Sequence, residues 1–138
     1  MSIEENKAIS RRFWEEIVNG RNLDLMDELF AVNYIEHGAD NQEWNAEGLK
    51  QRLNMYFSTF PDVHATIDDL FAEVDRCATR WTVRGTHKGE MMGIPPTGKQ
   101  VKITGISIDY IVDGKFAEVW TLSDLQVIMQ QLGAIPKQ

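Results

Sequence analysis

The spacing of apolar residues changes near the middle of the chain, from about four positions to two. Between residues 9 and 17 an apolar side chain recurs every fourth position, and Ser2 and Glu5 upstream have the spacing of a capping box. This pattern predicts an N-terminal helix that ends at Gly20. A short second helix follows, and a third is predicted from the apolar residues between 49 and 60.

From Val63 onward, apolar and polar residues alternate, which is typical of half-buried β-strands. Asp113-Gly114, between two such runs, is the strongest hairpin signal in the chain, because both central positions of a type I′ turn require a positive φ. After the strand that begins at Val63, the predicted strands cover 77–87, 101–112 and 115–121, and a last short helix covers 125–132.

Helices first and long antiparallel strands afterwards indicate an α+β fold. We expect a curved antiparallel sheet with the N-terminal helices packed on one face, because long, strongly twisted strands curl. Such a sheet would enclose a cone-shaped pocket. No linker-like composition divides the chain, so residues 1–138 are expected to form one domain. The open face of the sheet would still carry apolar residues, which predicts a homodimer through that face.

Composition and charge narrow the class of protein. With 138 residues, 43% of them apolar, the chain can bury a core without metal or disulfides. Its net charge of −7 disfavours binding to nucleic acid or to anionic membranes, and no apolar run is long enough to span a membrane. Cys77 is the only cysteine, which excludes an internal disulfide and predicts a reducing, cytoplasmic location.

Several segments of the chain resemble the SnoaL-like polyketide cyclase family, in the same order along nearly the whole sequence. The most specific is the loop MGIPPTGK at 92–99. Other matching segments are YIEH at 34–37, RWTVRGTHKG at 80–89 and EVW at 118–120, followed by Asp124. The resemblance implies the cone-shaped α+β barrel of nuclear-transport-factor-2-like proteins. That fold hosts cyclases, isomerases, hydrolases and binding proteins, so the reaction must be argued from the site residues.

The resemblance makes Asp124 the candidate general acid/base. In the family, the aspartate after the Glu-x-Trp strand moves a proton from an acidic carbon of the substrate, so that an enolate can attack an aldehyde or ester without metal or cofactor. The alternative role is that of a helix N-cap. Ser123 and Gln126 also have capping-box spacing, which would leave the Asp124 carboxylate free to point into the cone.

Two histidines are further candidates. His37 stands where the family places a pocket histidine, which implies a hydrogen bond to the substrate carbonyl that holds developing enolate charge. The alternative for His37 is a strand-end histidine bonded to the backbone. His87 ends the strand that contains Trp81, and we favour a structural role for it, either pairing with Glu90 or bracing the following loop.

Four aromatic residues are predicted to contact a hydrophobic substrate. Trp81 and Trp120 are expected to present their indoles to the cavity, together with Tyr34 or Tyr56, because strands of the cone alternate between cavity and exterior. A pocket of about 300–1,000 Å³ is the usual size for such a site.

Ser107 and Met91 complete the substrate-binding candidates. Polyketide cyclases of the family often carry histidine where Ser107 stands, so imidazole chemistry is not expected there. Met91 precedes the turn of the 92–99 loop, which either forms a rim over the cavity mouth or simply shapes a turn.

The sequence predicts neither a metal site nor a cofactor, because its three histidines are far apart and no nucleotide-binding glycine motif is present. We therefore expect an aldol-type cyclase or isomerase that acts on a hydrophobic carbonyl compound. One alternative is a non-catalytic binder of an apolar small molecule. Another is an epoxide hydrolase, which would need a carboxylate pair bridged by an arginine, with Arg80 or Arg84 beside Asp109.

Overall fold

In a computed structural model of the chain, which describes residues 2–123 and 125–133, four helices pack with a six-stranded sheet. The helices are α1 (Ile3–Arg12), α2 (Met26–Leu29), α3 (Ala46–Thr59) and α4 (Leu125–Gln131). The strands are β1 (Phe30–His37), β2 (Glu43–Trp44), β3 (His64–Glu73), β4 (Arg76–Thr86), β5 (Gln100–Val112) and β6 (Lys115–Ser123). A π-helical segment, Phe13–Asn19, continues α1.

The N-terminal helix begins as predicted. The Ser2 hydroxyl accepts a hydrogen bond from the Glu5 N–H at 3.1 Å, and the Glu5 carboxylate accepts one from the Ser2 N–H at 3.1 Å. This capping box satisfies two backbone donors that the first turn leaves without helical partners. The predicted end at Gly20 is also confirmed, because Gly20 closes the π-helical segment with a bond from its N–H to the Glu15 carbonyl at 3.0 Å.

The sheet is curved, mixed and not closed, with the strand order β2-β1-β6-β5-β4-β3. The prediction of a wholly antiparallel sheet is wrong at one ladder, since β1 runs parallel to β6. Antiparallel direction follows from short hairpin connections, whereas β1 reaches β6 only through α3 and four intervening strands. The predicted α+β cone is otherwise confirmed, with β3 to β6 forming an antiparallel meander.

The β5–β6 hairpin turns at the predicted residues. Asp113 and Gly114 have φ values of 51° and 78°, as a type I′ turn requires. The preceding β3–β4 turn lies at Val74 and Asp75, one residue earlier than Asp75-Arg76, and Val74 has a φ of 53°.

A β-bulge in β6 decides which side chains point inward. Ile111 pairs with Phe116, but Tyr110 pairs with Glu118, so Ala117 is an extra residue on β6. An extra residue shifts the alternation of faces by one position. Phe116 is therefore buried on the concave face, and beyond the bulge the cavity-lining residues of β6 are Val119, Thr121 and Ser123.

The helices cover the concave face of the sheet. α1 and the π-helical segment lie against β3, and α3 lies against β1. The core between these layers includes Ile17, Leu29, Leu53, Ile111 and Phe116. The convex face keeps several large apolar side chains exposed. Within the described ranges, no helix combines the length and apolar character needed to cross a membrane.

Candidate functional site

A cavity of about 180 Å³ lies between the concave face and the helices. It is smaller than the range of about 300–1,000 Å³ expected from the sequence, yet larger than the roughly 150 Å³ of an engineered cavity that binds benzene. The ring centroids of Trp14 and Trp81 lie 5.2 Å apart, and Trp14 thus takes up part of the interior. The aromatic residues of the wall are Phe13, Trp14, Phe30, Tyr34, Tyr56, Phe57, Phe60, Trp81 and Phe116.

Trp81 is fixed in this wall by a hydrogen bond and by close packing. Its Nε1–H donates to Ser107 Oγ at 3.0 Å, and Ser107 Oγ lies 3.3 Å from Thr121 Oγ1. A Cβ atom at position 105 would lie only 2.2 Å from Trp81 Cζ2, so Gly105 is required where the ring crosses β5. The indole therefore presents a fixed apolar surface to the cavity.

An ion pair lies on the cavity wall between β1 and α3. Arg52 Nη2 donates to Glu36 Oε2 at 2.6 Å, and the guanidinium stacks over Trp44 at 4.2 Å. The Tyr34 hydroxyl donates to Glu36 Oε1 at 3.5 Å, which is a long bond. Burial raises the pKa of Tyr34 well above its usual value, so its phenol is a neutral donor.

Asp109 on β5 places a second carboxyl on the wall, with only 5% of the residue exposed. Ser10 of α1 donates its hydroxyl proton to Asp109 Oδ2 at 2.7 Å. Burial, together with the nearby negative charge of Glu36, raises the pKa of Asp109 to about 7, against the lowering effect of the Ser10 bond.

Of the predicted substrate contacts, Trp81, Tyr34, Tyr56 and Ser107 all line this cavity. They come from β4, β1, α3 and β5, so the fold brings together residues that are far apart in sequence. Their predicted role in binding a substrate remains a prediction.

His37 and Trp120 lie elsewhere. The His37 ring stacks on Trp120 at 5.2 Å, with Nε2 2.5 Å from Glu118 Oε2 and Nδ1 3.2 Å from Glu43 Oε2. Trp120 is 39% exposed, and neither residue lines the cavity. The prediction that the Trp120 indole faces the interior is wrong, because the bulge at Ala117 turns this position to the convex face.

His87 holds the 92–99 loop and Met91 packs in the core, and neither side chain lines the cavity. His87 is fully buried, and its Nδ1 accepts from the Thr97 N–H at 3.2 Å and bonds the Thr97 hydroxyl at 2.9 Å. His87 thus braces the loop, whereas Glu90 accepts instead from the Gly93 N–H at 3.1 Å. Met91 is 2% exposed and packs in the apolar cluster that contains Phe60, Val101 and Ile128.

Asp124, the predicted acid/base, lies outside the described residues. The residue before it in sequence, Ser123, lines the cavity. Within the described part of the chain, no group of three His, Cys, Asp or Glu side chains is placed to hold a metal ion.

The sequence reasoning missed Glu36 and Arg52, and it considered Asp109 only with the wrong arginines. Arg80 pairs with Asp69 at 2.6 Å and is half exposed. Arg84 lines the cavity but pairs in the sheet with Lys102, near the opposite end of β5 from Asp109. Alternation would have found both carboxyls, because Glu36 shares a face with Tyr34 and Asp109 shares one with Ser107. Arg52 had no comparable signal, since its helix position does not show which carboxylate it meets.

The chain matches the family model of SnoaL-like polyketide cyclases over residues 8–132. No curated protein is similar enough to the chain to count as a match. Among solved structures, IdmH of Streptomyces antibioticus, a proposed polyketide cyclase, is 31% identical with a TM-score of 0.82, covering 93% of this chain and 98% of that one. A proposed polyketide cyclase of Acidithiobacillus ferrooxidans is 30% identical with a TM-score of 0.83, covering 97% and 99%. AclR of Streptomyces galilaeus, a proposed hydroxylase, is 26% identical with a TM-score of 0.89, covering 99% and 86%.

Proposed function

The chain belongs to the SnoaL-like polyketide cyclase family, and we propose that it catalyses an aldol-type cyclisation or an isomerisation of a hydrophobic carbonyl compound by general acid–base chemistry in the cone. One observation carries this proposal. The aromatic wall of the cavity includes hydrogen-bond donors and carboxyls, namely Tyr34, Arg52, Glu36 and Asp109. A protein that only sheltered an apolar ligand would need no such groups, because buried polar groups are costly unless they are paired or used.

The donors suit a substrate carbonyl. The Tyr34 phenol is neutral and its bond to Glu36 is long, so a substrate oxygen can compete for its proton. Arg52 brings a positive charge to the same wall. Donors of this kind stabilise the negative charge that develops on a carbonyl oxygen when the adjacent carbon loses a proton. In this proposal Asp124, which the family resemblance implies as acid/base, exchanges the proton with that carbon.

Solvent deuterium exchange tests the reaction class. Neutral ketones and β-keto esters of increasing ring number are incubated with the protein in deuterium oxide, and deuterium at the α-carbon is followed by NMR. We expect exchange above the buffer rate, and we expect Asp124→Asn to lower that rate by about 10²-fold or more. Asp27→Asn, at an exposed position, is the matched control.

Fluorescence of Trp14 and Trp81, which lie in the cavity wall, separates catalysis from binding. Compounds that quench this fluorescence but show no exchange would support a non-catalytic binder. Compounds that neither quench nor exchange would contradict both functions.

Hydrolytic opening of an epoxide is the second candidate. Its supporting observation is that two carboxyls, Glu36 and Asp109, share the cavity wall with Arg52. Asp109 in its protonated form could donate to the epoxide oxygen while Glu36 takes a proton from the attacking water, giving a diol. Diol formation that incorporates one ¹⁸O atom from labelled water, without deuterium exchange into ketones, would favour this reaction.

We also propose that the chain forms a homodimer through the convex face of the sheet. Trp120, Leu122, Ile106 and Ile108 are between 39% and 67% exposed on adjacent strands β5 and β6. A contiguous apolar surface of this kind on a sheet is typical of an interface.

A further inference from the structure

Asp109 differs from Glu36, the other carboxyl of the cavity, because it has no ion-pair partner among the described residues. Its hydrogen-bond partner there is Ser10, whose hydroxyl donates to Oδ2 at 2.7 Å. Ser10 is fully buried on α1, and Asp109 is 5% exposed on β5. Ser10 thus fixes the Asp109 carboxyl from the side of the helices, while Asp109 itself lines the cavity.

The sheet register places Asp109 near the Glu36–Arg52 pair. Asp109 is opposite Val119 on β6, and Val119 is opposite Glu36 on β1, so the two acidic residues lie in one row across three strands. Adjacent strands are about 4.8 Å apart, which puts the two backbones roughly 10 Å apart before side chains converge on the concave face. Asp109 and Glu36 are thus two carboxyls in one cavity, and within the described part of the chain Glu36 alone is neutralised by an arginine.

The titratable and charged groups around Asp109 come from four elements. Tyr34 and Glu36 lie on β1 and Arg52 on α3, Cys77 and the cavity-lining Arg84 are on β4, and Lys7, whose charge acts on Cys77, is on α1. Burial raises the pKa of Cys77, as it does for Asp109, so the thiol stays neutral. The Asp109 carboxyl therefore titrates in a poorly solvated site where the nearest ionised carboxylate opposes its own ionisation.

We propose that Asp109 is a proton-transfer group of this cavity and that Ser10 is its positioning residue. The inference rests on the proposed acid–base function and assigns the proton of the α-carbon to Asp109, in place of the Asp124 that the family resemblance implies. Asp109 is a buried carboxyl that lines an aromatic cavity, is held at one oxygen and has no counter-charge among residues 2–123 and 125–133. Such a group suits a neutral substrate that carries a C–H bond next to a carbonyl. An anionic substrate is disfavoured, because ionised Asp109 would repel it.

The proton transfer at Asp109 needs no reactant other than the substrate. The ionised carboxylate takes the proton from the α-carbon, and the C–H electron pair forms the C=C bond of an enolate. The enolate oxygen is stabilised by donors such as Tyr34. In an isomerisation Asp109 returns the same proton to a second carbon, and in an aldol closure it gives the proton to the alkoxide formed at the attacked carbonyl.

The test is the pH dependence of deuterium exchange in four proteins: the wild type, Asp109→Asn, Ser10→Ala and Thr79→Val. Asp109→Asn keeps the size of the side chain but cannot take a proton, so we expect a loss of at least about 10²-fold. Ser10→Ala removes a bond that favours the ionised carboxyl, so the midpoint of the pH–rate profile should move to higher pH. Thr79→Val is the matched control, because it also removes a fully buried hydroxyl, one that has no hydrogen-bond partner among the described residues and does not line the cavity.

The outcomes separate this inference from the proposed function. Exchange that persists in a folded Asp109→Asn variant, but is lost in Asp124→Asn, would overturn the inference and leave the function standing. Absence of exchange in the wild type would overturn both. If Asp109→Asn does not fold, the Ser10→Ala profile decides: an unmoved midpoint, the same as that of Thr79→Val, would overturn the inference.

Discussion

Arg52 and Glu36 join α3 to β1 through a 2.6 Å ion pair whose two members differ in solvent exposure. The Glu36 side chain is 8% exposed, whereas that of Arg52 is 26% exposed and stacks on Trp44. Glu36 therefore depends on Arg52 for the interactions that water would otherwise supply. Removing the cation leaves an uncompensated carboxylate on the cavity wall.

Arg52→Met is expected to lower the free energy of unfolding by a few kcal/mol, about the scale measured when one partner of a buried pair is removed. The double variant Glu36→Gln/Arg52→Met should recover most of that loss, because it removes the buried charge as well. Urea denaturation at pH 7 measures both effects. Arg12→Met is the exposed control, since its 2.7 Å pair with Glu16 is on the surface and is worth at most about 1 kcal/mol. Equal losses in the Arg52 and Arg12 variants would contradict this prediction.

Ser107→Ala is expected to destabilise the protein by about 1–3 kcal/mol, because the buried Trp81 Nε1–H would lose its acceptor. The indole would also be less firmly held, so the near-ultraviolet circular dichroism of the tryptophans should change. Ser58→Ala, at an exposed position of α3, is the control. An unfolding midpoint equal to that of the wild type would show that another group satisfies the indole N–H.

Asp109→Asn is expected to change how stability depends on pH. The Asp109 carboxyl has a pKa of about 7 in the folded chain and the lower ordinary value in the unfolded chain. At pH values between these two pKa values, Asp109 is therefore protonated in the folded state and ionised in the unfolded state. The free energy of unfolding of the wild type therefore falls as pH rises through that window. The asparagine variant lacks this loss, and its stability relative to the wild type should rise by up to about 4 kcal/mol from pH 4 to pH 8.

Thermal and urea unfolding of both proteins at several pH values measure this difference. Asp27→Asn, which replaces an exposed carboxyl, is the matched control. A stability difference between Asp109→Asn and wild type that stays constant from pH 4 to pH 8 would mean that Asp109 titrates as an ordinary aspartate.

The elements of the fold were predictable because local signals agreed with each other. The Ser2–Glu5 capping box and the Asp113-Gly114 turn each have a backbone requirement that few residue types satisfy, and both form as predicted. The parallel ladder between β1 and β6 had no local signal, because the pairing of two strands far apart in sequence depends on how the whole sheet assembles.

The candidate site was predictable where alternation was regular and not where it was interrupted. Tyr34 and His37 are three residues apart on one strand, so a regular strand places them on opposite faces, and Glu36 is the residue that shares the cavity with Tyr34. For Trp120 the alternation argument failed at the bulge, because no residue pattern around Ala117 indicates that a bulge forms there. Arg52 could not be paired with Glu36 from sequence, since that contact depends on how α3 packs on β1.

Two paired apolar side chains lie at the centre of the proposed dimer interface. On the convex face, Leu122 is 67% exposed and pairs in the sheet with Ile106, which is 51% exposed. A carboxylate at the centre of this surface would be desolvated by a partner copy and opposed by its symmetry mate, so Leu122→Glu should dissociate the dimer. Light scattering coupled to size exclusion, at micromolar concentration, should give a dimer for the wild type and a monomer for the variant. Met92→Glu is the control, because Met92 is similarly exposed, at 65%, but lies in the loop after β4. A monomeric wild type, or a Leu122→Glu variant that remains dimeric, would show that this face is not the interface.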